Sequence, residues 1–216
     1  MHPSRLDVTL TAVSFPESIQ ALDEAILRYA VGSPRWAVPI FYGLTVIGGG
    51  WGLLLILPFL FQRKSRVPAL FMLSGVLITS GLVSLLKMLF SRIRPCDALG
   101  WCAPVSVLSP GGHSFPSGHA AGSFAFAAFL AVRVPTIGPL ALFVAALIAW
   151  SRCVLGVHYP SDVLAGSLFG GALGVAFARA AIAAEKRALA EQPKPDERTM
   201  SEQGSERQGA AEPDPM

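Results

Sequence analysis

The sequence predicts an all-α protein: a polytopic membrane helical bundle of about five transmembrane helices plus an N-terminal amphipathic helix, six in total. Three observations lead there. About half the chain, 52%, is apolar and only 14% is charged, and the apolar residues come in blocks. The first two blocks are separated by a short basic link, Gln62–Val67. Small residues recur at helical spacing, in "GGGWG" (Gly48–Gly52) and at Gly166, Gly170 and Gly174, as close helix packing requires.

The elements follow in order. Residues 1–36 form a mixed N-terminal segment. Within it Ile19, Leu22, Ile26, Leu27 and Val31 are spaced like one helix face, with Glu17, Asp23, Glu24 and Arg28 elsewhere, so an interfacial amphipathic helix is expected over Ser18–Val31. No apolar stretch follows a basic start, so no signal peptide is expected. Residues 37–184 carry the uncharged runs Val38–Phe61, Leu70–Leu86, Ala120–Val132, Ile137–Trp150 and Val163–Ala178. A bilayer core of about 30 Å needs roughly 20 apolar helical residues. The first two runs reach that with their flanks, and the later ones do so by extending into their polar ends. Residues 185–216 are rich in Glu, Gln, Pro, Arg and Ala, lack aromatics, and are expected to form a disordered cytoplasmic tail.

Basic residues set an orientation. The link Gln62–Val67 holds Arg63, Lys64 and Arg66, and positive loops stay cytoplasmic. Alternation then places Ser91–Phe115 and Ser151–Ser161 outside, with Arg133–Pro139 and the tail inside. The expected location is the inner (plasma) membrane, multi-pass, with the site facing the periplasmic side. No basic, aromatic-interleaved patch points to nucleic acid, and oligomeric state is not legible.

The outer face collects chemistry. Lys87 ends the second crossing and Arg94-Pro95 follow. Ser117-Gly118-His119 opens the third, Ser151-Arg152 closes the fourth, and His158 and Asp162 lie at the start of the fifth. Polar residues at such depth are functional candidates. Lys87, Arg94 and Arg152 suit a phosphate, the Arg forks bidentately and the Lys as a point charge. Ser117 is placed as an N-cap whose following amides face an anion, and Gly118 allows close backbone approach. Two histidines allow two roles: one attacks phosphorus, the other protonates the leaving oxygen. Asp162 stands four residues after His158, with Pro160 at the expected helix start, so it can fix the tautomer of that imidazole. His119 is then the acid.

These segments, "KMLFSRIRP" (Lys87–Pro95), "PSGH" (Pro116–His119) and "SRCVLGVHYPSD" (Ser151–Asp162), resemble the signature K-x6-RP, PSGH, SR-x5-H-x3-D of the type-2 phosphatidic acid phosphatase superfamily. That superfamily also includes bacterial acid phosphatases and vanadium haloperoxidases. The resemblance covers roughly Ser65–Ile182 and matches all three parts in order. It implies His158 as nucleophile, Asp162 as its partner and His119 as general acid. It implies Lys87, Arg94, Ser117, Gly118 and Arg152 as phosphate ligands. It implies a metal-independent reaction through a phosphohistidine, with no cofactor, on a membrane lipid phosphate. Family members usually have six crossings. Small bacterial members often act on undecaprenyl diphosphate, which makes that the favoured substrate. Phosphatidylglycerol phosphate, phosphatidic acid and lipid A phosphates stay open, as does transfer to a second lipid.

Other readings fit the residues less well. A metal site of His113, His119, His158 and Asp162 lacks an H-E-x-x-H spacing and would sit among three cations. The apolar blocks argue against the largely soluble haloperoxidase branch. A lipid-phosphate carrier would need the cations but not both histidines with the aspartate. Cys96 and Cys102 share "PCDALGWC" in the outer loop, where either a disulfide or two free thiols would be compatible with an oxidising face.

Overall fold

The computed structural model describes residues 15–50, 54, 56–100 and 112–191. Among them are eight helices and no strand: α1 Glu17–Val31, α2 Ala37–Gly48, α3 Leu57–Phe61, α4 Arg66–Phe90, α5 Pro95–Leu99, α6 Gly118–Arg133, α7 Gly138–Val154 and α8 Pro160–Ala190. The all-helical expectation therefore holds. The chain divides into two compact units, Met1–Ile182 and Ala183–Met216. Only the last turns of α8 and residue 191 are described in the second.

Two segments are long and apolar enough to cross a membrane by length and composition, Arg66–Leu99, which contains α4, and Pro160–Ala190. Only 33% and 22% of their apolar windows are buried within the protein. A core helix of a water-soluble protein would be mostly covered. Here Leu77, Leu85, Leu89, Leu164 and Leu168 are exposed, an apolar surface that hydrocarbon suits and water does not. The helices α2 and α7 are apolar but shorter.

The run Val38–Phe61 was expected as one crossing. The described residues show it broken instead: α2 stops at Gly48, and Gly50 has φ +110°, a left-handed value that only glycine adopts without strain. α3 resumes at Leu57. Gly48, Gly49 and Gly50 thus end a helix as well as pack one. Packing is nonetheless tight at Gly48, where an added Cβ would lie 2.3 Å from Ile148 Cγ2 on α7.

The helix α6 lies at the centre, packed on α2, α4 and α7. Its contact with α8 is set by the small-residue stripe. A Cβ at Gly166, Gly170 or Gly174 would lie 2.5, 2.0 or 2.2 Å from the carbonyl oxygens of Ser117, Ala121 and Ala125. Backbones approach this closely only without side chains between them. The approach brings the N-termini of α6 and α8 together, where the Ser117 amide donates to the Asp162 carbonyl at 3.0 Å.

The helix α1 packs against the C-terminal end of α7, burying Leu27 and Ala30 with Cys153, Val154 and Tyr159. Its buried stripe differs from the expected apolar face. Leu22 is exposed, whereas Asp23, expected on the polar side, is 3% exposed. A buried carboxylate needs a partner, and the site supplies it.

Candidate active site

Four chain segments converge. The helix α4 ends at Ser91, whose left-handed φ of 47° turns the chain into an extended stretch. Residues two apart on extended backbone share a face. Arg92 and Arg94 are accordingly both buried and Ile93 between them is exposed. Arg94 precedes a proline, which holds it extended and starts α5. The segment 112–117 leads into α6, the end of α7 carries Ser151 and Arg152, and the turn 155–159 leads into α8.

His158 sits in that turn, 2% exposed. Its Nδ1 is 3.7 Å from Asp162 Oδ2 and 3.4 Å from Ser114 Oγ, and its Nε2 is 3.4 Å from an Arg94 guanidinium nitrogen. Asp162 Oδ2 accepts from the Ser114 hydroxyl and, at 2.9 Å, from the Tyr159 amide. The carboxylate thus faces Nδ1 through a group already engaged by two donors. At 3.7 Å the expected pairing of Asp162 with His158 is an ion-pair distance, longer than a hydrogen bond. An arginine at Nε2 favours the tautomer with its proton on Nδ1 and its lone pair on Nε2. Burial pushes the imidazole down to about 4, outweighing the upward pull of the Asp162 carboxylate facing Nδ1, and Arg94 and Lys87 add to the lowering. His158 is therefore neutral near pH 7, the form a nucleophile needs.

The cations surround this group. Arg94 donates from Nε to the Gly112 carbonyl and from the guanidinium tip to the Val157 carbonyl, both at 3.1 Å. Lys87 Nζ donates to the carbonyl of His113 at 2.6 Å, so His113 contributes its backbone to the site. Arg152 donates to Thr45 Oγ1 on α2 at 3.0 Å, and Thr45 shares a 2.6 Å hydrogen bond with Ser151. His119 lies in the first turn of α6, within the electrostatic reach of Arg152, His158, Arg94 and Lys87. A Cβ on Gly49 would stand 3.2 Å from its Nε2, so the end of α2 covers this imidazole.

Two buried polar atoms have no hydrogen-bond partner among the described protein groups: Ser117 Oγ and Arg152 Nε. Ser117 is the N-cap residue of α6, as expected, but its hydroxyl makes no cap hydrogen bond. An unmade hydrogen bond on a buried donor costs about 1–3 kcal/mol, and a buried guanidinium donor costs more. A Cβ on Gly118 would make only ordinary contact, 3.7 Å from Val83. The protein itself thus leaves room at the position expected to admit a ligand. A cavity of about 480 Å³ adjoins Lys87, Gly118 and His119 and extends between α2, α4, α6 and α7 past Val83, Phe126 and Ile148. A larger cavity of about 540 Å³, beside Cys153 and Trp150, is apolar and touches none of the candidate groups.

Asp23, Arg92, Ser114, Thr45 and Ser161 were not expected at the site. Arg92 lies inside the motif segment, and its period-two relation to Arg94 was the available signal. Ser114 and Thr45 carry no signal in sequence. Cys96 is buried in α5, Cys102 lies outside the described residues, and Cys153 is a buried free thiol. Among the described residues no group of three or more His, Cys, Asp or Glu could hold a metal ion.

Residues 68–185 match the PAP2 superfamily. A decaprenylphosphoryl-5-phosphoribose phosphatase of Mycobacterium tuberculosis is 35% identical over 125 residues, 58% of this chain and 68% of that protein. A lipid A 1-phosphatase of Rhizobium etli is 31% identical over 177 residues, 76% of this chain and 72% of that protein. Among solved structures, the PAP2 type phosphatidylglycerolphosphate phosphatase of Bacillus subtilis superposes with a TM-score of 0.63 at 29% identity, over 76% of this chain and 86% of that one. The LpxE of Aquifex aeolicus gives 0.62 at 28%, over 73% and 95%. With the family match spanning more than half its length and carrying all three motif segments, this chain belongs to the PAP2 superfamily.

Proposed function

We propose that this protein is a membrane lipid phosphatase that removes a terminal phosphate through a phosphohistidine on His158. The observation that carries the reading is the pair of orphaned buried donors, Ser117 Oγ and Arg152 Nε, beside His119 and a neutral His158 backed by a carboxylate. A phosphoryl group satisfies both donors, with Lys87 and Arg94 completing the charge. His158 Nε2 attacks phosphorus and the P–O bond to the lipid breaks. His119 gives its proton to the leaving oxygen. His119 then takes a proton from water, the water oxygen attacks phosphorus, the P–N bond breaks, and inorganic phosphate leaves. Asp162 stabilises the imidazolium at Nδ1 in both steps. No step needs a metal ion.

The chain is read as five crossings plus α1 at the outer interface of the inner membrane, with the site on the periplasmic face and residues 185–216 as a cytoplasmic tail. Positive charge at 63–66 and 186–187 supports that orientation. The cavity running from Lys87 and His119 into the bundle is lined largely by apolar residues and suits a lipid tail whose head group reaches the cations.

Undecaprenyl diphosphate is the preferred substrate. Relatives named for a decaprenylphosphoryl substrate and for undecaprenyl diphosphate both occur, the latter as a putative Escherichia coli enzyme 50% identical over 58 residues, 29% of its length. The test is phosphate release in liposomes from undecaprenyl diphosphate, decaprenylphosphoryl-5-phosphoribose, phosphatidylglycerol phosphate, phosphatidic acid and lipid A. The polyprenyl substrates are expected to give the highest kcat/KM, unchanged by chelator. Preference for lipid A or a glycerolipid overturns the substrate, and loss of activity with chelator overturns the metal-free route.

A further inference from the structure

Arg92 donates four side-chain hydrogen bonds beside the site. One guanidinium nitrogen donates to Asp162 Oδ1 at 2.6 Å and Ser161 Oγ at 2.8 Å, and the other to Asp23 Oδ2 at 2.7 Å and Gln20 Oε1 at 2.8 Å. Its guanidinium carbon lies over the rings of Phe15 and Tyr159, 4.0 Å from each ring centroid. Ser161 closes the ring, donating to Asp23 from its amide at 2.8 Å and from its hydroxyl at 2.6 Å. Arg92, Asp23 and Asp162 are all nearly fully buried.

A fork between two buried carboxylates is an expensive way to pin a helix, because apolar residues of similar volume often do as well. The arrangement does something apolar residues cannot. Asp162 turns Oδ2 toward His158 and gives Oδ1 to Arg92. Arg92 therefore fixes the rotation of that carboxylate. It also balances charge: two carboxylates and one guanidinium leave a net of −1 on the cluster. With Asp23 sharing the guanidinium, Asp162 is held without having its charge fully cancelled.

We propose that Arg92, held by Asp23 of α1, is a positioning residue that aims the Asp162 carboxylate at His158 and keeps it ionised. This rests on the reading of His158 as nucleophile. The helix α1 is then part of the catalytic apparatus, supplying the counter-charge that lets one arginine serve two aspartates.

The test compares Arg92→Gln, Asp23→Asn/Arg92→Gln and Arg92→Lys in the full chain, measuring kcat, KM and inhibition by inorganic phosphate. Arg92→Gln leaves two buried carboxylates without their cation, and kcat is expected to fall about 100-fold, less than the loss on removing the carboxylate that orients a reacting histidine. KM and phosphate inhibition should hold, because Lys87, Arg94 and Arg152 remain. The double variant restores the net of −1 and is expected to recover about tenfold in kcat over the single, a coupling typical of charges in one network. A merely structural clamp predicts the reverse, since two broken contacts are worse than one. A double variant that does not fold, or turns over no faster than Arg92→Gln, overturns the proposal. Should Arg92→Gln itself not fold, Arg92→Lys decides: it keeps the charge and loses the fork, so lowered kcat with phosphate inhibition unchanged supports aiming, and unchanged kcat overturns it. His158→Ala, run alongside, separates the two claims. Its retained turnover would sink the nucleophile reading, whereas an inactive His158→Ala with an unrecovered double variant sinks only the role of Arg92.

Discussion

The two sides of the site differ in how their polar groups are spent. On the α8 side, Asp162 is held by Arg92, Ser114 and the Tyr159 amide, and Asp23 by Arg92 and Ser161. Among the described residues, both carboxylates there are fully engaged by the protein's own donors. On the side formed by the start of α6 and the end of α7, Ser117 Oγ and Arg152 Nε are buried and unpartnered. The first side is preorganised: in the proposed reaction its groups need no rearrangement as charge develops on His158. The second is unsatisfied, so its stabilisation is available to whatever anion enters. The division predicts that substitutions of the engaged groups on the first side act on kcat and on stability, and those of the unpartnered Ser117 and Arg152 on the second act on phosphate affinity.

The largest effect should come from His158→Ala. No neighbouring group can replace the nucleophile, and turnover is expected to drop at least about 10⁴-fold, read as phosphate release by purified protein in detergent. Next is His119→Ala, with a loss of about 10²–10⁴-fold that is steepest for an alkyl leaving group and small for p-nitrophenyl phosphate. Equal losses on both substrates would remove His119 from the acid role.

The serines sharpen the contrast. Ser114→Ala removes a donor to Asp162 and should cost about 1–3 kcal/mol of stability. Ser117→Ala removes an unpaired buried hydroxyl and should cost nothing in stability without ligand, while weakening inhibition by inorganic phosphate. Thermal unfolding with and without phosphate separates the two. Equal destabilisation by both would erase the distinction between the sides.

A smaller effect concerns pH. His158 lies in the turn before α8 and its imidazole is held down to about 4, against an ordinary value of 6.5. Between those values the unfolded chain binds the proton more readily, so this contribution to stability is complete above pH 6.5 and lost as pH falls toward 4. Wild type should lose stability from pH 7 to 5 more steeply than His158→Gln. Parallel curves would mean the imidazole is not held neutral by the fold.

Much of the candidate site was legible because its groups lie in local motifs. Lys87, Arg94, Ser117, His119, Arg152, His158 and Asp162 occupy helix ends that hydrophobic blocking alone locates. The glycines of α8 were legible as a packing stripe, since spacing on one helix face is a local property. What was missed depends on distant pairing. Asp23 is 139 residues from Asp162 and looks like one more acid on a polar face until Arg92 is seen between them. Ser114 has no distinguishing neighbours. The break after Gly48 was hidden because glycine serves both close packing and helix ends, and composition does not say which.

The most direct test of the account is to trap the intermediate. Protein mixed with a substrate labelled in its terminal phosphate and quenched in base within the first turnover should carry label that acid releases, as a phosphoramidate does, and the label should map to the peptide containing His158. His158→Ala should carry none, and His119→Ala should carry label with a slowed rise for poor leaving groups. Label on a serine or aspartate, or phosphate release with no labelled protein at any time while His158→Ala stays active, would contradict it.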